Sequence, residues 1–549
     1  MANNCVAIRL MVSIIGFLPT SSITLRSVSA LSSHQAKRIA VIGGGASGIF
    51  SAISAAEHFE RQNNVVGSPP LEIVVLEATS KTLTKVAISG GGRCNVLHDT
   101  SKSTAEILNG YPRGKKELTG LLSSRFTPQQ AQAWFQKQGV ELKTEPDGRM
   151  FPITDDSQTV IDALLSASSR KGLVDIRKRQ KVLDIGIPAL DPDEQRSHGP
   201  LLFEISTQQK DKTGEKKVRK EHFDAIVLAT GSAPAGYQLA QSILEQSSSA
   251  TTSKKNGTKP SKAFVSPVPS LFTMNTKLDV KEEGCLLHGL AGVSVPKARV
   301  TFRPEESSKK DATITSQDDG KVQQQPKKRK RSKKTPPHLQ QEGPLLVTHH
   351  GVSGPAVLRL SAFGARDFHE ANYRGTLRIH WAPDLGTVDE ILDSLKKKQM
   401  TNPKRMVATG CPLTVTGTVK ESSGFVEKRI AAIPKRLWSS FVIHGCGIDP
   451  TTTWAEINKK AVRKLATFIA ECDLQVTGKG TFKEEFVTAG GVALKEIDMK
   501  TMMSKSCPGF FLCGEVINVD GVTGGFNFMN CWGTGHVAGT SAVDYVLAA

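Results

Sequence analysis

Acidic residues are missing from the first 56 positions of this 549-residue chain. Arg9, Arg26, Lys37 and Arg38 are spread there among Ser, Thr and apolar residues, which is the pattern of an organelle transit peptide. The apolar run at 10–18, followed by Val28-Ser29-Ala30, also suits a secretory signal and its cleavage site. The expectation is a targeting or disordered segment over 1–36 and an organelle, plastid or mitochondrion, as destination. The secretory pathway and the nucleus are the alternatives. Farther along, no run reaches the ~18 apolar residues of a membrane span, so the mature chain is expected to have no transmembrane segment. The nine cysteines include no C-x-x-C pair, which argues against both a zinc site and a disulfide framework. No metal site is expected, and a reducing interior is the expected setting. The strand–G-x-G-x-x-G–helix pattern is not repeated, which argues against a dedicated nicotinamide domain.

Lys and Arg outnumber Asp and Glu by 71 to 52, for a formal charge of +19. Part of that excess is the block Lys327-Lys328-Arg329-Lys330-Arg331-Ser332-Lys333-Lys334. Its flanks are polar, so 303–343 reads as a disordered surface insertion. Such a block also suits nuclear import or RNA binding. No aromatic residue is interleaved with it, which argues against base stacking and against nucleic acid as the partner. At this length the chain is expected to form two to four domains.

What is present begins at Ile39–Ile42, an apolar run that breaks into Gly43-x-Gly45-x-x-Gly48 and then into an Ala- and Ser-rich helix. Gly43 permits the tight turn, Gly45 lets backbone approach a pyrophosphate, and Gly48 lets the helix lie close on the sheet. A second apolar run, 71–76, ends in Glu77, where an acid hydrogen-bonds the ribose of an adenosine. Next comes Ser89-Gly90-Gly91-Gly92-Arg93-Cys94-Asn95, a glycine run suited to wrapping a cofactor. Cys94 there is either a packed thiol or a redox partner of that cofactor. Thr127-Pro128-Gln129-Gln130 is a capping box that opens a helix closed by Gly139, and another helix is predicted over 157–167. Strands are predicted at 182–187 and 201–205. A buried strand over 223–228 reaches Thr230 and Gly231.

From 233 to 483 the pattern changes to short strands (286–290, 298–302, 345–347, 377–381), with a helical stretch at about 388–469. Thr348-His349-His350-Gly351-Val352-Ser353-Gly354-Pro355 ends a strand and opens a helix at Pro355, with Ser353 as its expected cap. A turn histidine is ordinarily structural, but His349 or His350 could deliver a proton to a facing site. The chain closes with Gly514-Glu515, then Asp520-Gly521-Val522-Thr523-Gly524-Gly525-Phe526-Asn527, then a small-residue helix over 535–546. A loop running into a helix N-terminus suits the negative charge that builds on a reduced flavin.

Taken together, these motifs resemble the YhiN/BaiN-type flavoproteins, an aminoacetone-oxidase-like group of NAD(P)/FAD-dependent oxidoreductases. The stretches that carry the resemblance are the opening glycine loop, Ile88 to Asn95, Gly148-Arg149-Met150-Phe151-Pro152, Thr348 to Pro355, and Gly514-Glu515 through Gly524-Gly525-Phe526-Asn527. The resemblance implies an α/β chain with a Rossmann-like FAD-binding domain built from both chain ends, over 37–232 and 484–549. An inserted β-rich, barrel-like domain and a small helical subdomain complete it. It places Gly43, Gly45, Ala46, Ser47, Gly48 and Glu77 at the ADP half of FAD. Gly92, Arg93, Cys94, Asn95, Thr230, Gly231, Gly514, Glu515, Asp520, Gly524, Gly525, Phe526 and Asn527 fall along the rest of the cofactor. Departures are Asn518, where many members carry Asp, and His350, where an aromatic is common; the shorter Ala229-Thr230-Gly231-Ser232 turn is typical of plant-like relatives. The implied activity is hydride transfer between FAD and a small organic substrate, with His349 as proton donor and Cys94 as an outside candidate. NAD(P)H, if it is the transient reductant, would have to use the substrate cleft. The alternatives are a flavin-dependent RNA-modifying enzyme and a non-catalytic flavin-bound redox sensor.

Overall fold

Four apolar segments too short for helices line up as the parallel core of one sheet. Lys37–Ile42 lies between Ala225–Leu228 and Leu71–Glu77, and Leu71–Glu77 pairs in turn with Val174–Lys178. Phe510–Leu512, from the far end of the chain, pairs parallel with Ala225–Leu228, and two short antiparallel strands, Met503–Ser504 and Ile497–Asp498, extend that edge to seven strands. Ile39–Ile42, Ala225–Leu228 and Phe510–Leu512 are buried throughout, as a parallel sheet covered on both faces requires. The computed structural model describes residues 36–62, 69–170, 172–187, 202–210, 215–251, 263–276, 286–305, 336–421, 424–480 and 487–548. The targeting segment read over 1–36, all but its last residue, and the basic block 327–334 lie outside them.

Two helices from opposite chain ends cover this sheet together. The opening helix, Ala46–Gln62, packs along the closing helix, Phe526–Ala548. Small residues let their backbones meet. A Cβ on Gly535 would sit 2.8 Å from the Ser47 carbonyl oxygen, and one on Gly539 only 2.1 Å from that of Ser51. A larger residue at either position would force the helices apart.

Six strands form a closed barrel: Met274–Thr276, Gly351–Ser353, Gln340–Val347, Ser294–Pro304, Gly375–His380 and Cys472–Lys479. The barrel and the helices Val388–Thr401, Lys435–Ser440 and Lys459–Ala470 share a hydrophobic core separate from that of the parallel sheet. The helix Lys459–Ala470 buries Val462, Leu465, Ala466 and Ile469, one stripe at helical spacing.

The structure corrects three local expectations. Residues 286–290 form turns rather than a strand. The helix Pro355–Phe363 is capped by Gly354 at φ 96°, with no side-chain cap, and Ser353 belongs to a barrel strand. The stretch read as helical contains a hairpin, Thr414–Glu421 with Gly424–Ala431. Its alternating Thr, Val, Lys and Ile satisfy a two-residue period that a wide helical window obscures.

Candidate functional site

A cavity of about 1330 Å³ runs from the opening glycine loop to the barrel. Its first wall is made largely of main chain. A Cβ on Gly45 would meet nothing within 4 Å, so the loop is open to the cavity there. A Cβ on Gly48 would lie 1.9 Å from the Gly43 carbonyl oxygen, which fixes the close fit of helix on turn. The first turn of the opening helix presents backbone N–H groups that have no partner within the helix. The Glu77 carboxylate accepts from the Gly44 N–H at 2.8 Å and from the Thr79 N–H at 2.7 Å, which clips the end of its strand to the loop. Oε1 also accepts from the Thr79 hydroxyl at 2.7 Å, which leaves Oε2 as the oxygen with a lone pair for a ribose hydroxyl.

The middle of the cavity is where the two chain ends interlock. Ser89 begins a turn in which Gly90, Gly91 and Gly92 all have positive φ, and Cys94 follows at φ 59°. The Ser89 carbonyl accepts from the N–H groups of Gly92 (3.1 Å) and Cys94 (3.0 Å). The Asn95 amide, oriented by its surroundings, accepts from the Gly525 N–H at 3.0 Å and donates to the Leu97 carbonyl at 3.0 Å. One amide therefore joins the early glycine run to the closing one. Lys85 pairs with Glu515 at 2.9 Å and also donates to Ser232 Oγ at 2.9 Å, a second tie between distant segments. Thr230 lines this cavity too, while its Oγ1, buried and without a partner among the described residues, lies against Gly236, where an added Cβ would come within 1.8 Å of it.

Of the residues read from the sequence as cofactor contacts, Gly43, Gly45, Ala46, Ser47, Glu77, Asn95, Thr230, Gly231, Glu515, Gly524, Gly525 and Asn527 line the cavity. Seven do not line it: Gly48, Gly92, Arg93, Cys94, Gly514, Asp520 and Phe526. They act behind the wall. Asp520 is fully buried, is paired with Arg113 and accepts from Ser270 Oγ at 3.2 Å. Burial, its largest influence, pushes its carboxyl upward against the pull of that guanidinium. Phe526 stacks on His98 with ring centroids 4.4 Å apart, and its carbonyl accepts from the Tyr111 hydroxyl at 2.7 Å. Arg93 pairs with Glu145 at 2.8 Å and lies over the Phe151 ring at 3.9 Å. Gly514 donates its N–H to Thr534 Oγ1 at 3.0 Å.

The two residues read as proton donors lie outside the cavity lining. Cys94 is fully buried, and burial pushes its thiol up to about 12, so it is a neutral packed thiol near pH 7. His349 is exposed in the turn between two barrel strands.

Nothing in the local sequence points to His98. It is 8% exposed, donates from Nδ1 to the Gly524 carbonyl at 2.9 Å, and takes the Lys102 ammonium on Nε2 at 3.1 Å. Burial first and Lys102 second lower its pKa, so the ring stays neutral and fixed as a donor to Gly524. Lys479, Gly480 and Leu271 at the barrel end were also missed. Nothing in their local sequence distinguishes them, because the closing of the barrel brings them there.

A family model described as "HI0933-like protein Rossmann domain" matches residues 37–541. The chain belongs to that family. HI0933-like proteins of the YhiN/BaiN type bind FAD, and this member is an FAD-dependent oxidoreductase. It is 23% identical over 503 residues to the ribosomal RNA dihydrouridine synthase of Escherichia coli (strain K12), covering 90% of this chain and 94% of that protein. Over 515 residues it is 24% identical to the protein of the same name from Haemophilus influenzae (strain ATCC 51907 / DSM 11121 / KW20 / Rd), covering 91% and 97%. A third relative, the 3-dehydro-bile acid delta(4,6)-reductase of Clostridium scindens (strain ATCC 35704 / DSM 5676 / VPI 13733 / 19), is 21% identical over 515 residues and covers 92% and 99%.

The residues present fit FAD. The glycine loop and Glu77 suit its ADP half, and Asn95, Thr230, Gly524, Gly525 and Asn527 line the same cavity farther along. Asn527 is held for this by a reciprocal pair: it accepts from the Gly521 N–H at 2.8 Å and donates to the Gly521 carbonyl at 3.0 Å.

Proposed function

We propose that this protein reduces a carbon–carbon double bond conjugated to a carbonyl, and that its substrate is a uracil ring within ribosomal RNA. The observation that carries the reading is the continuity of the cavity. At about 1330 Å³ it exceeds the ~300–1,000 Å³ of ordinary small-ligand sites, and it runs past the cofactor-fitting residues to Lys479 and Gly480 of the barrel. There is room for a flat ring beside a dinucleotide. The names of the three relatives support the same chemistry, since dihydrouridine and a reduced 4,6-diene both arise by adding two hydrogens across a bond conjugated to a carbonyl.

When bound in its reduced form, FAD would supply the hydride. The chain's own residues orient the reactants and manage charge. The N-terminal end of the closing helix follows Gly524 and Gly525 on the cavity wall, so its partial positive charge favours negative charge on the cofactor. His98, held neutral, fixes the Gly524 carbonyl and with it that wall. Lys479, at the end of the last barrel strand, lines the cavity while its ammonium lies 5.8 Å from the centroid of the Tyr373 ring, and our reading has it turn from there to polarise a substrate carbonyl. The hydride would go to the carbon distal to the carbonyl, and a proton from solvent water to the adjacent one. We further propose that NADH or NADPH restores the reduced cofactor by entering the same cleft.

The test is to incubate purified protein and NAD(P)H with ribosomal RNA lacking dihydrouridine, then digest and weigh the nucleosides. New dihydrouridine is expected. Its absence, alongside reduction of a free 3-keto-4,6-diene, would move the substrate to a small soluble enone. Stopped-flow mixing with each nicotinamide should bleach the oxidised flavin band, and no bleaching by either would remove the nicotinamide step.

A further inference from the structure

We propose that the small sheet formed by Lys181–Gly186, Phe203–Lys210 and Lys216–Phe223 is a docking surface for the phosphodiester backbone of RNA. The inference rests on the RNA reading above and adds the place where the polyanion lies. In the register of this sheet, Lys181, Gln208 and Val218 form one cross-strand row, and Val182, Thr207 and Arg219 the next. Residues in one row share a face, and alternate rows point to opposite faces. Val182 and Thr207 are buried, so the row of Lys181 and Val218 faces solvent, where Val218 is 56% exposed. Lys216 and Lys220 alternate with Val218 and belong to that outer face as well. Arg219 belongs to the alternate row, on the other face, but it stands on an edge strand and with Lys220 borders a shallow depression of about 490 Å³ lined also by Arg177, Gln180 and Glu221.

The pairing pattern separates this surface from an ordinary solvated face. Arg177 is neutralised by Asp175 (2.6 Å) and Glu221 (3.0 Å), and Lys220 by Glu204 (2.8 Å). Lys178, Arg179, Lys181, Lys216 and Arg219 have no acidic partner among the described residues. Lys181 and Lys216 on the outer face, Arg219 reaching out from the edge strand, and Lys178 and Arg179 at the strand end and turn that lead into this sheet make a field that suits a polyanion.

The surface is also continuous with the cavity rim. Lys178 stands in register beside Glu77, the Arg179 N–H donates to the Thr79 carbonyl at 2.9 Å, and the Gln180 N–H donates to the Glu77 carbonyl at 2.8 Å. Glu77 and Thr79 line the cavity, so a strand of RNA held on the sheet would lie next to its mouth.

The experiment measures the anisotropy of a labelled transcript of ribosomal RNA bound to the full-length holoprotein, from 50 to 200 mM salt. Wild type is compared with K181E/K216E/R219E and with K181A/K216A/R219A. All three side chains are exposed, and flavin absorbance and melting temperature serve as folding controls. The charge-reversed protein is expected to bind at least tenfold more weakly at 50 mM salt. In the alanine variant the slope of log affinity against log salt should be shallower by about 2–3, roughly one per lost phosphate contact. If wild type binds and both variants match it in affinity and slope, the docking surface is wrong and the RNA reading survives. If wild type binds no RNA, both fall together. Binding to phosphatidylserine vesicles but not RNA, lost in the same variants, would overturn the proposal in favour of a membrane role.

Discussion

The two ends of the cavity are built differently. At the glycine-loop end the wall is largely main chain placed by one short stretch, Gly43 to Ser47, with Glu77 clipped to it by the Gly44 N–H. At the other end the wall comes from Asn95, Thr230, Lys479 and Gly524, four segments spread over more than 400 positions, and it depends on side chains behind it. A main-chain site needs only local sequence and a close helix. A side-chain site needs the whole fold, and it should be the easier one to break from a distance.

The sharpest way to break that comparison is Asp520→Ala. It touches no part of the cavity, but it leaves the Arg113 guanidinium, which also donates to the Ala362 carbonyl at 2.8 Å, in a buried site without its carboxylate. The expected cost is about 3–5 kcal/mol, read from urea unfolding of the apoprotein, with weakened FAD binding to match. Unchanged stability would mean that the closing loop is held by something else.

Next in size is a pH effect at the helix–helix junction. His536, stacked on Phe126 at 4.3 Å, is pushed down to about 4, mainly by burial. Its folded-state pKa lies below its unfolded one, so the unfolded chain takes up the proton first. The contribution is therefore fully present above about 6.5 and is lost as pH falls toward 4, up to about 3 kcal/mol in all. Melting curves should show wild type losing more than His536→Gln over that window. Parallel losses would exclude His536 as the cause.

Glu77→Ala probes the main-chain end. Losing a charged hydrogen-bond partner of loop and ribose should weaken FAD by roughly ten- to a hundredfold, with little change in apoprotein stability. Quenching of FAD fluorescence on titration would show it. The smallest effect belongs to His349→Ala. An exposed turn histidine outside the cavity should leave FAD affinity and turnover within about twofold. A large loss of turnover alone would put the barrel turn back into the chemistry.

The same contrast explains what could be read from the residues alone. Strand, glycine turn and helix at 37–62 were legible because each glycine answers a local demand, a tight turn or a close approach, and a local demand leaves a local pattern. The closing motif was legible for the same reason. Gly525 must clear the Leu97 carbonyl, which would lie 2.3 Å from an added Cβ. Asp520 and Phe526 sit inside that motif and look like ligand contacts. Only the packed structure shows that they face Arg113 and His98 instead. His98 and Lys479 carry no signal because their neighbours are hundreds of positions away. His349 draws the eye as a histidine beside glycines, and the fold places it in an exposed turn outside the cavity lining.

The central claim is that both chain ends close over one FAD. It is tested most directly by acid release of cofactor from the purified full-length protein, with the yellow supernatant identified by mass and counted against protein. The account predicts one FAD per chain, recovered again after stripping and reloading. Protein that stays colourless in excess FAD, or that carries only a mononucleotide, would contradict it.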